Sequence, residues 1–389
     1  MLAWIAPLFV FGIVVFVHEF GHFLAAKAVG VYTPRFSIGF GRALLKKRWG
    51  ETEYILAALP LGGYVRMASK DDEATAFIEG GTETSSTKVT TTGEVMDPNA
   101  MMPFGPLPVP ADRWLESKPL PARLVILFAG VTMNMLLGFV VTTGMLVHYG
   151  SPYLTTTADS LMVGRPAAAA GLLPGDSIVA IGGVKLASWD SLVSRISASA
   201  GQNLQLDVMR GNQRKSIDVT PQSDTATNPT THKVEQVGRI GIIPRQAARD
   251  VGFGEAIRGG WNVTWGMAGT VIETLRGLIS RRVSTSELGG PIMIATASVQ
   301  AARGGLENLL VLIALISVNL AVFNLLPIPI LDGGQILVAV LEAAKGSAFS
   351  ARTRDYILRA GLAAVLLLFA LVTYNDLRRL LVSLIQRFG

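Results

Sequence analysis

The sequence predicts an α-helical membrane protein with about four transmembrane helices, a membrane-associated β-rich element on the cytosolic side and one α/β domain across the bilayer. Three observations lead there. Half of the 389 residues are hydrophobic and only 16% are charged, against about 25% in a typical soluble domain. Mean hydropathy is positive, at +0.44, and the apolar residues gather into four long uncharged runs. The net charge of +6 comes largely from basic residues beside those runs, which points to a lipid bilayer and away from nucleic acid. With no cysteine, disulfide frameworks, thiolate zinc sites, iron–sulfur clusters and cysteine nucleophiles are excluded.

The first element is a span over residues 1–30. Met1 to Val17 is free of charge and no Lys or Arg precedes Lys27, whereas a secretory leader begins with basic residues. They come afterwards, at Lys27, Arg35, Arg42 and Lys46-Lys47-Arg48, so the amino terminus is expected outside and the chain in the cytosol beyond about residue 30. Residues 31–68, rich in Gly, aromatic and branched residues around Pro60-Leu61-Gly62-Gly63, predict short strands and tight turns at the membrane. Residues 69–118 turn polar and predict a cytosolic loop.

A second span over 119–150 is built on Leu124 to Val147, with Lys118 and Arg123 at its cytosolic end. Residues 155–245 have soluble-domain composition, with alternating stretches such as Leu204 to Val208, and the flanking spans put this domain outside. Residues 246–305 are amphipathic and carry Trp261 and Trp265 at belt positions, as expected of one or two interfacial helices against the outer surface, with a membrane-inserted segment as the alternative. The third span, 306–343, contains the uncharged run Leu309 to Leu331 and then Asp332. The fourth, 354–386, contains Tyr356 to Tyr374, in which Arg359 is the single charge. No internal repeat marks a transporter built from matching halves.

Two of the four histidines fall in His18-Glu19-Phe20-Gly21-His22 on the first span. Positions i and i+4 share a helix face, so both imidazoles can ligate one Zn2+ while Glu19 stands beside the activated water. Ionisable side chains are costly in a membrane and mark function. A catalytic zinc needs a further protein ligand and an open position. Asp332 is the candidate, at the end of an apolar run and followed by Gly333-Gly334. Counted from the outer ends of their spans, His18 and Asp332 lie at about 26 and 35 Å for a rise of 1.5 Å per residue. Tilt, or a break at Pro327 and Pro329, levels them towards the cytosolic side.

With these motifs the chain resembles the site-2 proteases, intramembrane zinc metalloproteases, and most closely the bacterial regulator-of-sigma-E type. His-Glu-Phe-Gly-His matches one family signature, and the segment from Asn324 through Leu326-Pro327 to Leu331-Asp332-Gly333-Gly334 matches the second. Leu61-Gly62-Gly63-Tyr64, Phe128-Ala129-Gly130 with Asn134, and Leu288-Gly289-Gly290-Pro291 are supporting matches, so the resemblance covers nearly the whole chain. It implies that His18, His22 and Asp332 bind zinc and that Glu19 is the catalytic base. It also implies regulated proteolysis in the bacterial cytoplasmic (inner) membrane, of an anti-sigma factor or of remnant signal peptides. Val131 stands where the family commonly has Pro, and residues 155–245 hold one domain where some relatives carry two in tandem. Leu173-Pro174-Gly175-Asp176, followed by Ile181-Gly182-Gly183, resembles a bacterial PDZ domain, which implies either peptide binding by strand addition or a bulky plug.

A substrate helix must be unwound before its amides can be attacked. An edge within residues 52–67, turning at Gly62 and Gly63, is expected to pair with the extended single-span substrate, and Asn324 to hydrogen-bond its freed backbone. Asn134 either stabilises the site or bonds a neighbouring helix, the packing role being favoured, and His148 and His232 are not expected to be ligands. Two rival readings remain: a non-catalytic membrane adaptor with a PDZ-like domain and a degenerate metal site, and a metal transporter with a His-His-Asp transit site. Glu19 beside three ligands argues against the first, since a scaffold needs no base. The lack of repeated halves argues against the second.

Overall fold

The computed structural model describes residues 2–69, 109–227 and 234–388. Most of the polar stretch expected at 69–118, and His232, lie outside the described residues. The chain divides into two compact units, one of Met1–Met145 with Ile257–Gly389 and one of Leu146–Ala256.

The first unit begins with α1 (Ala6–Val29), apolar apart from His18, Glu19, His22 and Lys27 and closed by Gly30, whose φ of 76° lets its N–H reach back to Ala26 and Lys27 carbonyls. Two strands follow, β1 (Arg35–Trp49) and β2 (Thr52–Arg66). They are bent by repeated register shifts, so that residues 35–38 pair on one side with 53–56 and on the other with 63–66, while 53–56 also pairs with 45–48. The two strands thus fold into four short segments, with 63–66 at one edge. Phe23 of α1 packs under this sheet against Phe36 and Val65. The helix α2 (Leu120–Tyr149) runs unbroken through Val131.

The second unit contains β3 (Ser151–Leu161), the single turn α3 (Pro166–Ala169), β4 (Ser177–Ile181), β5 (Val184–Lys185), α4 (Trp189–Ala198), β6 (Leu204–Arg210) and β7 (Gln213–Val219). It continues with β8 (Gln222–Thr227), β9 (Val234–Arg239) and β10 (Ile242–Arg249). The sheet order is β10-β3-β4-β6-β7, with β5 on β4 and a separate β8-β9 hairpin. Its core joins Ile178, Leu206 and Val208 from alternate strand positions to Leu192 and Ile196 on one face of α4, the two periodicities expected of a sheet covered by a helix. Ser188 and Ser191 form a reciprocal capping box at the start of α4. Asp176, fully buried, accepts from Leu173 N and forms a bidentate pair with Arg210 (2.8 Å to each oxygen). That pair holds Leu173-Pro174-Gly175-Asp176 as a tight turn.

The remaining helices are α5 (Phe253–Ile279), α6 (Pro291–Gly304), α7 (Leu306–Asn324), α8 (Asp332–Lys345) and α9 (Ala351–Phe388). Among the described residues, α1, α2, α7 and the stretch Arg352–Val382 of α9 are long and apolar enough to cross a membrane. The protein is a multi-pass membrane protein. The third apolar run is not one helix: α7 stops at Asn324, and the next helical residue is Asp332. Pro327 and Pro329 explain the break, since each lacks an N–H donor and disfavours helix before it. The helix α5 buries Ala268 against Val318 and Val322 of α7 and pairs Thr264 Oγ1 with Thr142 Oγ1 at 3.1 Å. Asp376 of α9 caps α6, accepting from the backbone N–H groups of Gly290, Ile292 and Met293 at 3.0 Å each.

Candidate metal centre

The breaks and close approaches above meet at one point on α1. His18 and His22 are both buried, one turn apart on a single helix face. The non-helical segment 325–331 carries the chain round so that Asp332 opens α8 beside them, its Oδ2 lying 3.3 Å from His18 Nε2 and 3.4 Å from His22 Nε2. The two Nε2 atoms are 3.2 Å apart. Gly334 permits the fold-back, because a Cβ there would overlap the Ile328 carbonyl.

Three electron-rich atoms this close repel one another unless a cation lies among them. Asp332 Oδ2 is buried without a hydrogen-bond partner, a costly state for a carboxylate oxygen. Tetrahedral ligands at about 2.0–2.2 Å from zinc stand about 3.3–3.6 Å apart, close to the three measured separations. Two imidazoles and one carboxylate also leave one position of the tetrahedron open, the arrangement of a hydrolytic rather than a structural zinc. The residues therefore fit a catalytic zinc ion, and among the described residues this is the one His/Asp/Glu cluster with metal-ligand spacing.

The surroundings orient these side chains. His22 Nδ1 donates to the Ile126 carbonyl of α2 at 2.8 Å, which leaves Nε2 as the free lone pair. Gly130 of α2 makes room for both imidazoles, since a Cβ there would overlap His22 Nε2 and crowd His18. Glu19 Oε2 accepts from Val65 N at 3.2 Å, so the edge segment 63–66 reaches the carboxylate next to the first histidine.

Asn324, the last residue of α7, places Nδ2 3.1 Å from His18 Nε2. It stands at the cluster itself. Gly63 opens the edge segment 63–66 and Gly62 precedes it: Gly62 has a φ of 149°, and a Cβ on Gly63 would come 2.6 Å from the Ser37 carbonyl. Asn134 does take part in the helix packing favoured for it, its backbone carbonyl accepting from Ser317 Oγ at 2.9 Å. Its side chain, however, faces His18, with Nδ2 3.4 Å from Nδ1. His148 ends α2 against Tyr149, outside the cluster. The contributions of Ile126 and Val65 escaped sequence reading because backbone groups carry no residue signature.

The family model for peptidase family M50 matches residues 6–368. The chain belongs to peptidase family M50. A Streptococcus pyogenes serotype M1 protein named as a zinc metalloprotease is 32% identical over a 435-residue alignment covering 97% of this chain and 99% of that protein. The regulator of sigma-W protease RasP of Bacillus subtilis is 30% identical, covering 97% and 98%, and the zinc metalloprotease RasP of Shouchella clausii is 30% identical, covering 98% and 99%. Among solved structures, the PDZ domain of an SdrC-like protein from Listeria innocua matches 25% of this chain and 99% of that domain at 20% identity and a TM-score of 0.20. As an M50 peptidase, the protein is an intramembrane zinc metalloprotease. That membership removes both rival readings, adaptor and transporter.

Proposed function

We propose that His18, His22 and Asp332 hold the catalytic zinc, that Glu19 is the general base, and that the substrates are single-span transmembrane proteins cut within their membrane segments. The observation that carries this reading is the convergence of three ligand atoms, two from one helix face and one from a residue more than three hundred positions further on, at separations of 3.2–3.4 Å. When bound, zinc supplies Lewis acidity, acidifying water and polarising a carbonyl. Glu19 takes the proton from the attacking water and returns it to the leaving amine, and the Val65 N–H holds its carboxylate in place. Asn324 donates through Nδ2 to the carbonyl oxygen of the scissile peptide.

The substrate pairs as an added strand along the 63–66 edge. Among the described residues Gly63 and Tyr64 of that segment are laddered to Ile38 and Ser37, and the next residue, Val65, gives its N–H to Glu19. Gly62 and Gly63 let this segment close on Phe40 and Ser37, which sets the edge that the substrate meets. The protein works in the bacterial cytoplasmic membrane, with the Leu146–Ala256 unit as an extracytoplasmic PDZ-like domain whose edge strands β7 and β10 are available to peptides. A relative named for regulating sigma-W supports an anti-sigma factor as the physiological substrate.

Cleavage of a single-span substrate by purified protein in detergent, comparing wild type with Glu19→Gln and measuring bound zinc in each, tests the assignment. The expected result is one zinc ion in both and a rate lowered about 10²–10⁴-fold in the variant. Loss of zinc from Glu19→Gln, or unchanged cleavage, would sink the role given to Glu19.

A further inference from the structure

Each zinc-ligating histidine needs its second ring nitrogen satisfied, because that bond fixes which nitrogen carries the proton. For His22 the Ile126 carbonyl does this at 2.8 Å. For His18 the group at the corresponding place is the Asn134 amide, fully buried, with Nδ2 3.4 Å from Nδ1. The other end of that amide, Oδ1, is buried with no hydrogen-bond partner.

This is an inconsistent arrangement for a ligated histidine. If His18 Nε2 carries the lone pair facing Asp332 and His22, Nδ1 carries the proton, and then two donors face each other while an acceptor on the same amide goes unused. A half-turn about the Asn134 Cβ–Cγ bond exchanges the two nearly isosteric ends. Oδ1 then accepts from Nδ1–H, satisfying both groups. The geometry of α2 favours convergence on this spot. Helix carbonyls point towards the C-terminus and Cα–Cβ bonds lean towards the N-terminus, so Ile126 O and the Asn134 side chain converge from below and above on the level of Gly130. The absent side chain of Gly130 leaves that level to the two imidazoles.

We infer that Asn134 is the positioning residue for His18: its Oδ1 accepts from Nδ1–H, fixes the tautomer in which Nε2 binds zinc, and holds the ring in the plane the site requires. The inference rests on the reading of His18 as a zinc ligand. Its partner chemistry is a divalent cation with a preference for imidazole nitrogen, and Asn134 acts on affinity and geometry without touching the ion.

The test uses the full chain in detergent and compares wild type, Asn134→Asp, Asn134→Ala and Asn134→Leu. Zinc affinity is read by chelator competition, the ligand field by the visible spectrum of the cobalt-substituted protein, and helix content by circular dichroism. Asp keeps the acceptor and loses the donor, whereas Ala and Leu lose both. The expected result is a zinc affinity about 10–100-fold weaker in Ala and Leu, with an altered cobalt spectrum and unchanged helix content, and near-wild-type affinity in Asp. A packing role would give the reverse order, with a buried unpaired carboxylate tolerated worst. Equal affinity in all four proteins, or Asp no better than Ala, overturns the inference. A measurement on wild type alone decides it if the variants fail to fold: nitrogen-15 histidine spectra of the zinc-loaded protein must show the His18 proton on Nδ1, and a proton on Nε2 overturns it. Wild type that binds no zinc removes the metal-site reading and this inference together, whereas zinc-binding wild type with indifferent variants removes the inference alone.

Discussion

Gly130 lies directly against the His22 ring, so closely that a single methyl group on it would overlap Nε2. The glycine is therefore part of the metal centre although it donates no ligand. Gly21 answers it from the other helix, since a Cβ there would meet the Ala129 carbonyl at 2.5 Å. The contact between α1 and α2 that places both imidazoles depends on these two residues.

Gly130→Ala is accordingly expected to lose zinc and activity together. Alanine favours a helix over glycine by about 1 kcal/mol, so helix formation does not oppose the change, and the cost falls on the imidazoles. Metal content by atomic absorption beside helix content by circular dichroism checks this. A variant with full zinc content and normal cleavage would mean that the helices separate without cost.

Asp332→Asn keeps the shape of the third ligand and removes its charge. Zinc affinity is expected to fall by at least about tenfold, in line with the importance of ligand charge at such sites, and cleavage with it. Titration with a fluorescent chelator measures the affinity directly. Retention of wild-type affinity would point to a different third ligand.

Asp376→Ala removes the acceptor for three backbone N–H groups at the start of α6. Buried donors left unpaired cost about 1–3 kcal/mol, so the unfolding temperature in detergent should drop while bound zinc per folded molecule stays unchanged. Since the clasp joins α9 to α6 and supplies no metal ligand, loss of zinc at full folding would contradict this account.

The second unit should show an acid-labile component. The Arg210 guanidinium holds the Asp176 carboxyl below its ordinary value, and the Leu173 N–H adds to the effect. A carboxyl so depressed stabilises the fold fully above its unfolded value of about 3.9, and the contribution is lost as pH falls through the lower folded value. Protection of the Leu173 amide, its exchange relative to the intrinsic rate at each pH, should therefore stay high at neutral pH and fall below about pH 4. Asp176→Asn should flatten that dependence. A wild-type profile with no acid limb would show that the pair contributes nothing.

Much of the site was legible in the residues themselves. His18, Glu19 and His22 are readable because a helix period of 3.6 converts a spacing of four into one face, and an apolar setting makes three polar side chains conspicuous. Asp332 is readable for the same reason, as the charge that ends a run, and Pro327 and Pro329 mark the break before it. The two roles open to the Asn134 side chain are not separable in sequence, because an amide in a helix looks the same whether it meets a neighbouring helix or a ligand. The packing of α5 is not readable from its residues, because a moderate apolar stripe suits either a bilayer surface or another helix, and the contacts with Val318 and Val322 exist only in the folded chain.

By itself, then, the sequence determined that four apolar segments enter a membrane, that one of them carries a His-Glu-x-x-His face, and that an aspartate ends another. Those properties follow from local periodicity and from the cost of charge in lipid. Tertiary structure alone decided which atoms meet: the Asp332 oxygen with two imidazole nitrogens, the Val65 N–H with Glu19, the Ile126 carbonyl with His22, and the Asn134 amide with His18. Backbone donors and acceptors are the same on nearly every residue, and side chains far apart in the chain come into register only when helices pack to contact distance, which here is set by the missing side chains of Gly21 and Gly130.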